Sequence, residues 1–128
     1  MLQTTYMPPN LKCLIIEDEP LAIKKIIEYI RMFPSLSIKG TIRDIEDPTR
    51  FAPDLRNTDI LFLDLVVSGG IIENLEEHIA DIPFLVITSA ICKRDYPTFV
   101  KERSHYALQK PISPEMFRKC IGEMFNMH

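Results

Sequence analysis

The sequence predicts an α/β fold in which five parallel strands alternate with five helices, (βα)5, doubly wound so that helices cover both faces of the sheet. Two observations carry this. Five short apolar runs recur at residues 11–16, 36–40, 60–64, 84–89 and 106–109, and several are continuous rather than alternating, as strands buried on both faces are. The stretches between them have helical spacing, and strand–helix alternation at this interval implies parallel strands joined by right-handed crossovers.

Each element has its own justification. After the first strand, Ile23, Ile26, Ile27, Ile30 and Phe33 form one stripe with Lys24, Lys25, Glu28 and Arg31 mostly opposite, the pattern of an amphipathic helix. Pro20 suits the start of that helix, where a missing N–H costs nothing, and Pro34 follows its end. Asp47-Pro48 caps a short second helix, which Pro53 is expected to stop within two turns. Residues 71–80 and 96–103 are the third and fourth helices. The fifth carries Phe117, Cys120, Ile121, Met124 and Phe125 on one face. Ser113 is its expected N-cap and Pro114 its first residue, with Met116 at the position where a capping box would carry Glu or Gln.

Composition narrows the class. The chain has 128 residues, enough for one domain with a real core; the domain is expected over residues 11–128, after a short tail at 1–10 that ends on Pro8, Pro9 and Asn10. With 46% hydrophobic and 26% charged residues the chain folds rather than staying disordered. A net charge of −3 argues against direct nucleic-acid binding by this domain, since backbone phosphates call for an excess of Lys and Arg. Cys13, Cys92 and Cys120 are odd in number and widely spaced, two of them inside apolar runs, which points to reduced thiols rather than disulfides or zinc. No apolar stretch reaches the roughly 20 residues of a membrane span, and residues 1–10 lack the basic and apolar regions of a signal peptide. A cytoplasmic location is expected.

In an open sheet of this kind ligands bind beyond the carboxyl ends of the strands. The first strand there runs into Glu17-Asp18-Glu19, the third ends on Asp64, the fourth on Thr88-Ser89 and the fifth is followed by Lys110-Pro111. Taken singly each has an ordinary reading: a lone acid after a strand is a loop or cap, Lys-Pro is a turn. All four strand ends carrying a suitable group at once points to phosphoryl transfer. Clustered carboxylates repel, and a hard cation such as Mg²⁺, which prefers few carboxylates, several waters and phosphate oxygens, offsets that repulsion. Asp64 could then act as the nucleophile toward phosphorus, with charge on the phosphoryl oxygens met by the metal, the Lys110 ammonium and a hydroxyl.

The order and spacing of these residues resemble the receiver domains of two-component response regulators, the CheY-like superfamily with its flavodoxin-like fold, over about residues 11–127. Lys12-Cys13-Leu14-Ile15-Ile16-Glu17-Asp18-Glu19-Pro20-Leu21-Ala22 looks most like receivers that precede LytTR-type DNA-binding domains. Asp59-Ile60-Leu61-Phe62-Leu63-Asp64-Leu65 and Lys110-Pro111-Ile112 belong to the same pattern. The resemblance implies that Asp64 accepts a phosphoryl group from a sensor histidine kinase. It implies Mg²⁺ held by Asp18, Asp64 and the backbone carbonyl of Val66, with Glu17 acting through water. Ser89, which precedes Ala90, matches the switch hydroxyl, and Lys110 the lysine that holds the phosphoryl group, with a cis peptide before Pro111. Thr88, one position early, should face elsewhere. A homodimer and a LytTR-like domain outside this chain are implied partners, and output would pass through the face of the fourth helix, fifth strand and fifth helix. Any catalysis would be limited to self-phosphorylation and slow autodephosphorylation.

The chain departs from that pattern in three places. The segment Leu65-Val66-Val67-Ser68-Gly69-Gly70 lacks the family's proline and brings its glycines early, predicting a shorter or more flexible loop. The aromatic switch position is Ala107, and neighbouring Tyr106 should point to the other face unless the strand bulges. The second helix is interrupted by proline. The loop and Ala107 favour the alternative of a pseudo-receiver, an interaction module that signals without phosphate, while the complete acid–lysine–serine set opposes it; the interrupted helix affects shape more than chemistry. A haloacid-dehalogenase-like phosphatase would need a second aspartate at Val66, and an FMN binder a phosphate loop after the first strand. His78, His105 and His128 are too scattered for a metal site.

Overall fold

The computed structural model describes residues 10–126, so the tail through Pro9 and His128 lie outside the described residues. The elements are β1 (Leu11–Ile16), α1 (Pro20–Ile30), β2 (Leu36–Ile42), α2 (Pro48–Leu55), β3 (Ile60–Leu63), a 3-10 turn (Ile72–Leu75) that runs into α3 (Glu76–Ile79), β4 (Phe84–Ser89), α4 (Thr98–Lys101), β5 (Tyr106–Gln109) and α5 (Pro114–Asn126). All strand pairings are parallel, in the order β2-β1-β3-β4-β5. The predicted five-stranded, doubly wound sheet is therefore present, and the order in which strands are added reverses between β1 and β3, the switch point where such sheets bind ligands.

Strand alternation sorts the core into two layers. Leu14, Ile16, Leu61, Leu63, Leu85 and Ile87 face α2, α3 and α4, where Phe51, Leu55, Leu75, Ile79, Phe99 and Val100 cover them. Cys13, Ile15, Ile60, Phe62, Val86 and Leu108 face α1 and α5. On that side Phe117 stacks on Phe62 at 5.5 Å between centroids and meets Tyr29 and Phe33 at 5.5 and 6.0 Å. The central strands read as unbroken apolar runs because both faces are covered.

The helix ends follow local chemistry. Pro20 occupies the first turn of α1. Asp47 caps α2 by accepting from Thr49 N at 3.1 Å, and Ser113 caps α5 by accepting from Met116 N at 3.1 Å. Pro53 lies inside α2 rather than ending it, although the helix stops two residues later. The 71–80 and 96–103 segments are shorter as helix than expected. Pro97 keeps Tyr96 extended, at φ −64° and ψ 147°, so α4 starts only at Thr98. The third segment begins with an extended Ile71, has no side-chain cap and spends its first turn as 3-10 helix. In contrast β2 runs past Gly40, because Thr41 and Ile42 pair with Ile15 and Ile16.

At the amino-end edge of the sheet, Arg103 ties two segments together. Its guanidinium donates to Ile79 O at 2.9 Å and Ile82 O at 2.8 Å, fixing the α4–β5 connection to the end of α3.

Candidate functional site

At the opposite edge β1, β3, β4 and β5 deliver their polar ends. β1 stops at Ile16 and hands on to Glu17 and Asp18; β3 stops at Leu63, one residue before the expected end, with Asp64 N still donating to Ile16 O at 2.9 Å. One carboxylate oxygen from each of Glu17, Asp18 and Asp64 lies within 4.8 Å of the others. Glu17 and Asp64 are buried and Asp18 is half-buried. Three carboxylates this close cannot share a dry site without a compensating cation. A hard, all-oxygen donor set of this size suits Mg²⁺, which takes a few carboxylates and completes its shell with water and phosphate oxygens.

Lys110 supplies positive charge in the same place. Its Nζ lies 2.8 Å from Glu17 Oε1, 3.2 Å from Asp64 Oδ2 and 3.8 Å from Glu19 Oε1. Burial alone would lower the Lys110 pKa, but Glu17 and Asp64 outweigh it and the net shift is upward, so the ammonium stays charged. Glu17 shows the converse: burial raises its pKa, against the opposing pull of Lys110 and of the Glu19 N–H. That N–H donates to Glu17 Oε2 at 3.1 Å. The Lys110–Pro111 peptide is cis, as expected.

Asp18 is held from a different direction. Ser68 N donates to its Oδ2 at 3.0 Å and the Ser68 hydroxyl donates to the same oxygen. These bonds, the hydroxyl's above all, hold the Asp18 carboxyl below its ordinary pKa. Arg43, from the β2–α2 loop, donates to Asp18 O at 3.4 Å. Val66 N donates to Asp64 Oδ1 at 3.1 Å, and the Val66 side chain is 61% exposed on the rim.

Ser89 ends β4 on the same edge, buried, with Lys110 N donating to its carbonyl at 3.2 Å. Its hydroxyl accepts from Ile91 N at 3.3 Å rather than meeting Asp64. Thr88 is also buried, with a hydroxyl lacking a hydrogen-bond partner among the described residues; strand alternation puts it on the other face. β5 pairs in unbroken register with β4, Val86 with Tyr106 and Ile87 with Ala107. Ala107 accordingly packs against the α2–α4 layer while Tyr106 packs against the α1–α5 layer, and Tyr106 does not take the vacant aromatic position. A different aromatic, Tyr96, is buried in the layer that Ala107 faces, its ring 5.9 Å from His105.

The structure thus gathers Glu17, Asp18, Asp64 and Lys110 into one constellation and sets Ser89 beside it. Ser68 and Arg43, which donate to Asp18 from outside that set, were not singled out by sequence, whereas Glu19, 3.8 Å from Lys110 Nζ, was named with the end of the first strand. The signal for Ser68 was present but misread. The Ser-Gly-Gly run suggests a loose loop, whereas residues 65–70 are anchored: Ser68 bridges to Asp44, Ile45 N donates to Ser68 O at 3.0 Å, and Gly70 sits so close that a Cβ there would come within 2.7 Å of Ile45 O.

No family model matches the chain. A curated relative, protein-glutamate methylesterase/protein-glutamine glutaminase 4 of Myxococcus xanthus (strain DK1622), is 29% identical over 113 residues, covering 82% of this chain and 31% of the relative. The chain therefore spans about a third of the length of the curated relative it matches. Among solved structures, the CheY-like response regulator receiver domain of Methylobacillus flagellatus aligns with a TM-score of 0.69 at 20% identity, over 89% of this chain and 98% of that one. The signal receiver domain of a modulated diguanylate cyclase from Desulfovibrio desulfuricans G20 aligns with a TM-score of 0.70 at 22% identity, over 88% and 90%. RcsB of Salmonella enterica serovar Typhimurium, bound to a promoter in the presence of the phosphomimetic BeF3-, aligns with a TM-score of 0.76 at 15% identity, over 91% and 60%. Together with the sheet order, these likenesses show that the chain has the flavodoxin-like fold of response-regulator receiver domains.

Proposed function

We propose that residues 11–128 form the receiver domain of a two-component response regulator that takes a phosphoryl group on Asp64. The observation that carries this reading is Lys110 Nζ placed between Glu17 Oε1 and Asp64 Oδ2, at 2.8 and 3.2 Å, beside three converging carboxylates. A carboxylate oxygen of Asp64 attacks the phosphorus of a phosphohistidine on a sensor kinase. The P–N bond breaks, the imidazole leaves with its electron pair and takes up a proton, and a mixed carboxylic–phosphoric anhydride forms. Water later returns the carboxylate and inorganic phosphate. While the aspartyl phosphate lasts, Lys110 exchanges its contact with Asp64 for the phosphoryl oxygens. Mg²⁺, held by Asp18, Asp64 and the Val66 carbonyl with Glu17 through water, would supply charge neutralisation of the acids and the phosphoryl group.

Ser89 turns its hydroxyl from Ile91 N toward the phosphoryl group, so the phosphorylated state differs in contacts from the resting one, which is what a population shift requires. The variety of the structural neighbours, a diguanylate cyclase and a promoter-bound regulator among them, is in keeping with a switch module serving separate outputs. A LytTR-like DNA-binding domain and homodimerisation are the outputs we favour. Ala107 is the one observation favouring a phosphate-independent pseudo-receiver, since it removes the aromatic partner of the switch hydroxyl.

Intact mass after incubation with acetyl phosphate, with and without Mg²⁺, tests the reading. The expected result is a Mg²⁺-dependent gain of one phosphoryl group that Asp64→Asn abolishes. No gain in the wild type, with no Mg²⁺ binding, sinks it in favour of the pseudo-receiver.

A further inference from the structure

Ser68 lies outside the constellation that the strands deliver, and its contacts are unusually directed. Its N–H and its hydroxyl both donate to one oxygen, Oδ2, of Asp18. A carboxylate oxygen has about two lone-pair positions, so Oδ2 is saturated and Oδ1 is the oxygen left for an ion. Ser68 is itself held in place. It forms a parallel bridge with Asp44, its carbonyl accepts from Ile45 N at 3.0 Å, and Asp44 Oδ1 accepts from Glu46 N at 3.2 Å within the same β2–α2 loop.

The glycines after Ser68 make this docking possible. Gly69 has φ +94°, a conformation that side chains rarely adopt. Gly70 lies against the Ile45 backbone, where an added Cβ would meet the carbonyl oxygen at 2.7 Å. The two loops therefore close on Asp18 together, since Arg43 of the same β2–α2 loop donates to the Asp18 carbonyl at 3.4 Å.

We propose that Ser68 is a positioning residue of the metal site, holding Asp18 so that a single carboxylate oxygen is presented to Mg²⁺ by an aspartate that cannot rotate. The proposal rests on the reading of Glu17, Asp18 and Asp64 as a Mg²⁺ site and adds to it a supporting contact from outside the ligand set. Groups that hydrogen-bond a ligating carboxylate fix its orientation, and their loss lowers metal affinity by about 10–100-fold. The Ser68 amide remains after truncation, so the lower end of that range applies.

The experiment is Mg²⁺ titration by calorimetry on the metal-free chain, with the thermal midpoint without Mg²⁺ measured alongside. Ser68→Ala is expected to weaken Mg²⁺ binding about tenfold with the metal-free midpoint unchanged, and Ser68→Thr, which keeps the hydroxyl, to restore it. Gly70→Ala, which leaves the hydroxyl but forces the loops apart, is expected to weaken binding too. Wild-type affinity in Ser68→Ala overturns the proposal while leaving the receiver reading intact, as does an equal loss in Ser68→Thr. Failure of the wild type itself to bind Mg²⁺ overturns both.

Discussion

Lys110 Nζ lies 2.8, 3.2 and 3.8 Å from Glu17, Asp64 and Glu19, and its side chain is 21% exposed while Glu17 is fully buried. Removing the ammonium leaves Glu17 and Asp64 facing each other with little water to screen them. Breaking a fully buried pair costs about 3–5 kcal/mol, and partial exposure of the lysine brings the expectation for Lys110→Met to roughly 1–3 kcal/mol. In urea titrations without Mg²⁺ the variant should unfold at a lower midpoint, and added Mg²⁺ should recover part of the loss. An unchanged midpoint would show that the lysine does not hold the acids together. Asp18, Asp64 and Lys110 were legible in sequence because each lies within two residues of a strand's end, and strand ends are where this fold keeps its chemistry. Ser68 was not, because its partner is 50 residues away and the docking depends on two loops whose conformations no local pattern encodes.

Among the elements, α5 depends most visibly on its own first turn. Ser113 Oγ accepts from Met116 N, the residue after Ser113 is Pro114, and Phe117 N donates to Ser113 O. Ser113→Ala should therefore cost about 1 kcal/mol, read as a lower denaturation midpoint with an unchanged slope, and Ser113→Asp should recover most of it. Such ends were legible because cap and proline are adjacent in sequence. The ends of α3 and α4 were not. Periodicity extends the fourth helix back to Tyr96, yet Pro97 bars the preceding residue from helical geometry. The third segment satisfies its last carbonyls through Arg103, which arrives from beyond α4. Likewise Gly40 reads as a strand end, but pairing with β1 carries β2 on to Ile42.

Across the whole molecule, a sheet whose central strands are buried on both faces leaves the cysteines in two environments. Cys13 and Cys120 are buried within the α1–α5 layer, whereas Cys92 is exposed. Burial pushes the Cys13 and Cys120 thiols from the ordinary 9.0 up to about 12. A pKa raised by folding contributes stability that is complete below the unfolded value and drains away as pH rises through the folded one. The window here is pH 9 to about 12. Over it the chain should lose stability more steeply than a Cys13→Val, Cys120→Val variant, measured by urea midpoint against pH. A parallel slope would mean that these thiols are not shielded in solution. The layering itself was legible, since unbroken apolar strands admit only a covered sheet; that Tyr96 is buried in the layer Ala107 faces was not, because it comes from a different segment.

The Arg103 tie also has a bearing on motion. Its two hydrogen bonds fasten the carboxyl end of α4 to the end of α3, at the sheet edge farthest from Asp64. While they hold, they resist sliding of the one-turn α4 along the sheet. Any movement about that tether would be largest toward Thr98 and the Lys93–Asp95 turn, which follow Ser89 in the chain. On the switch proposed above, a reorientation at Ser89 would act on the end of α4 farther from that tether.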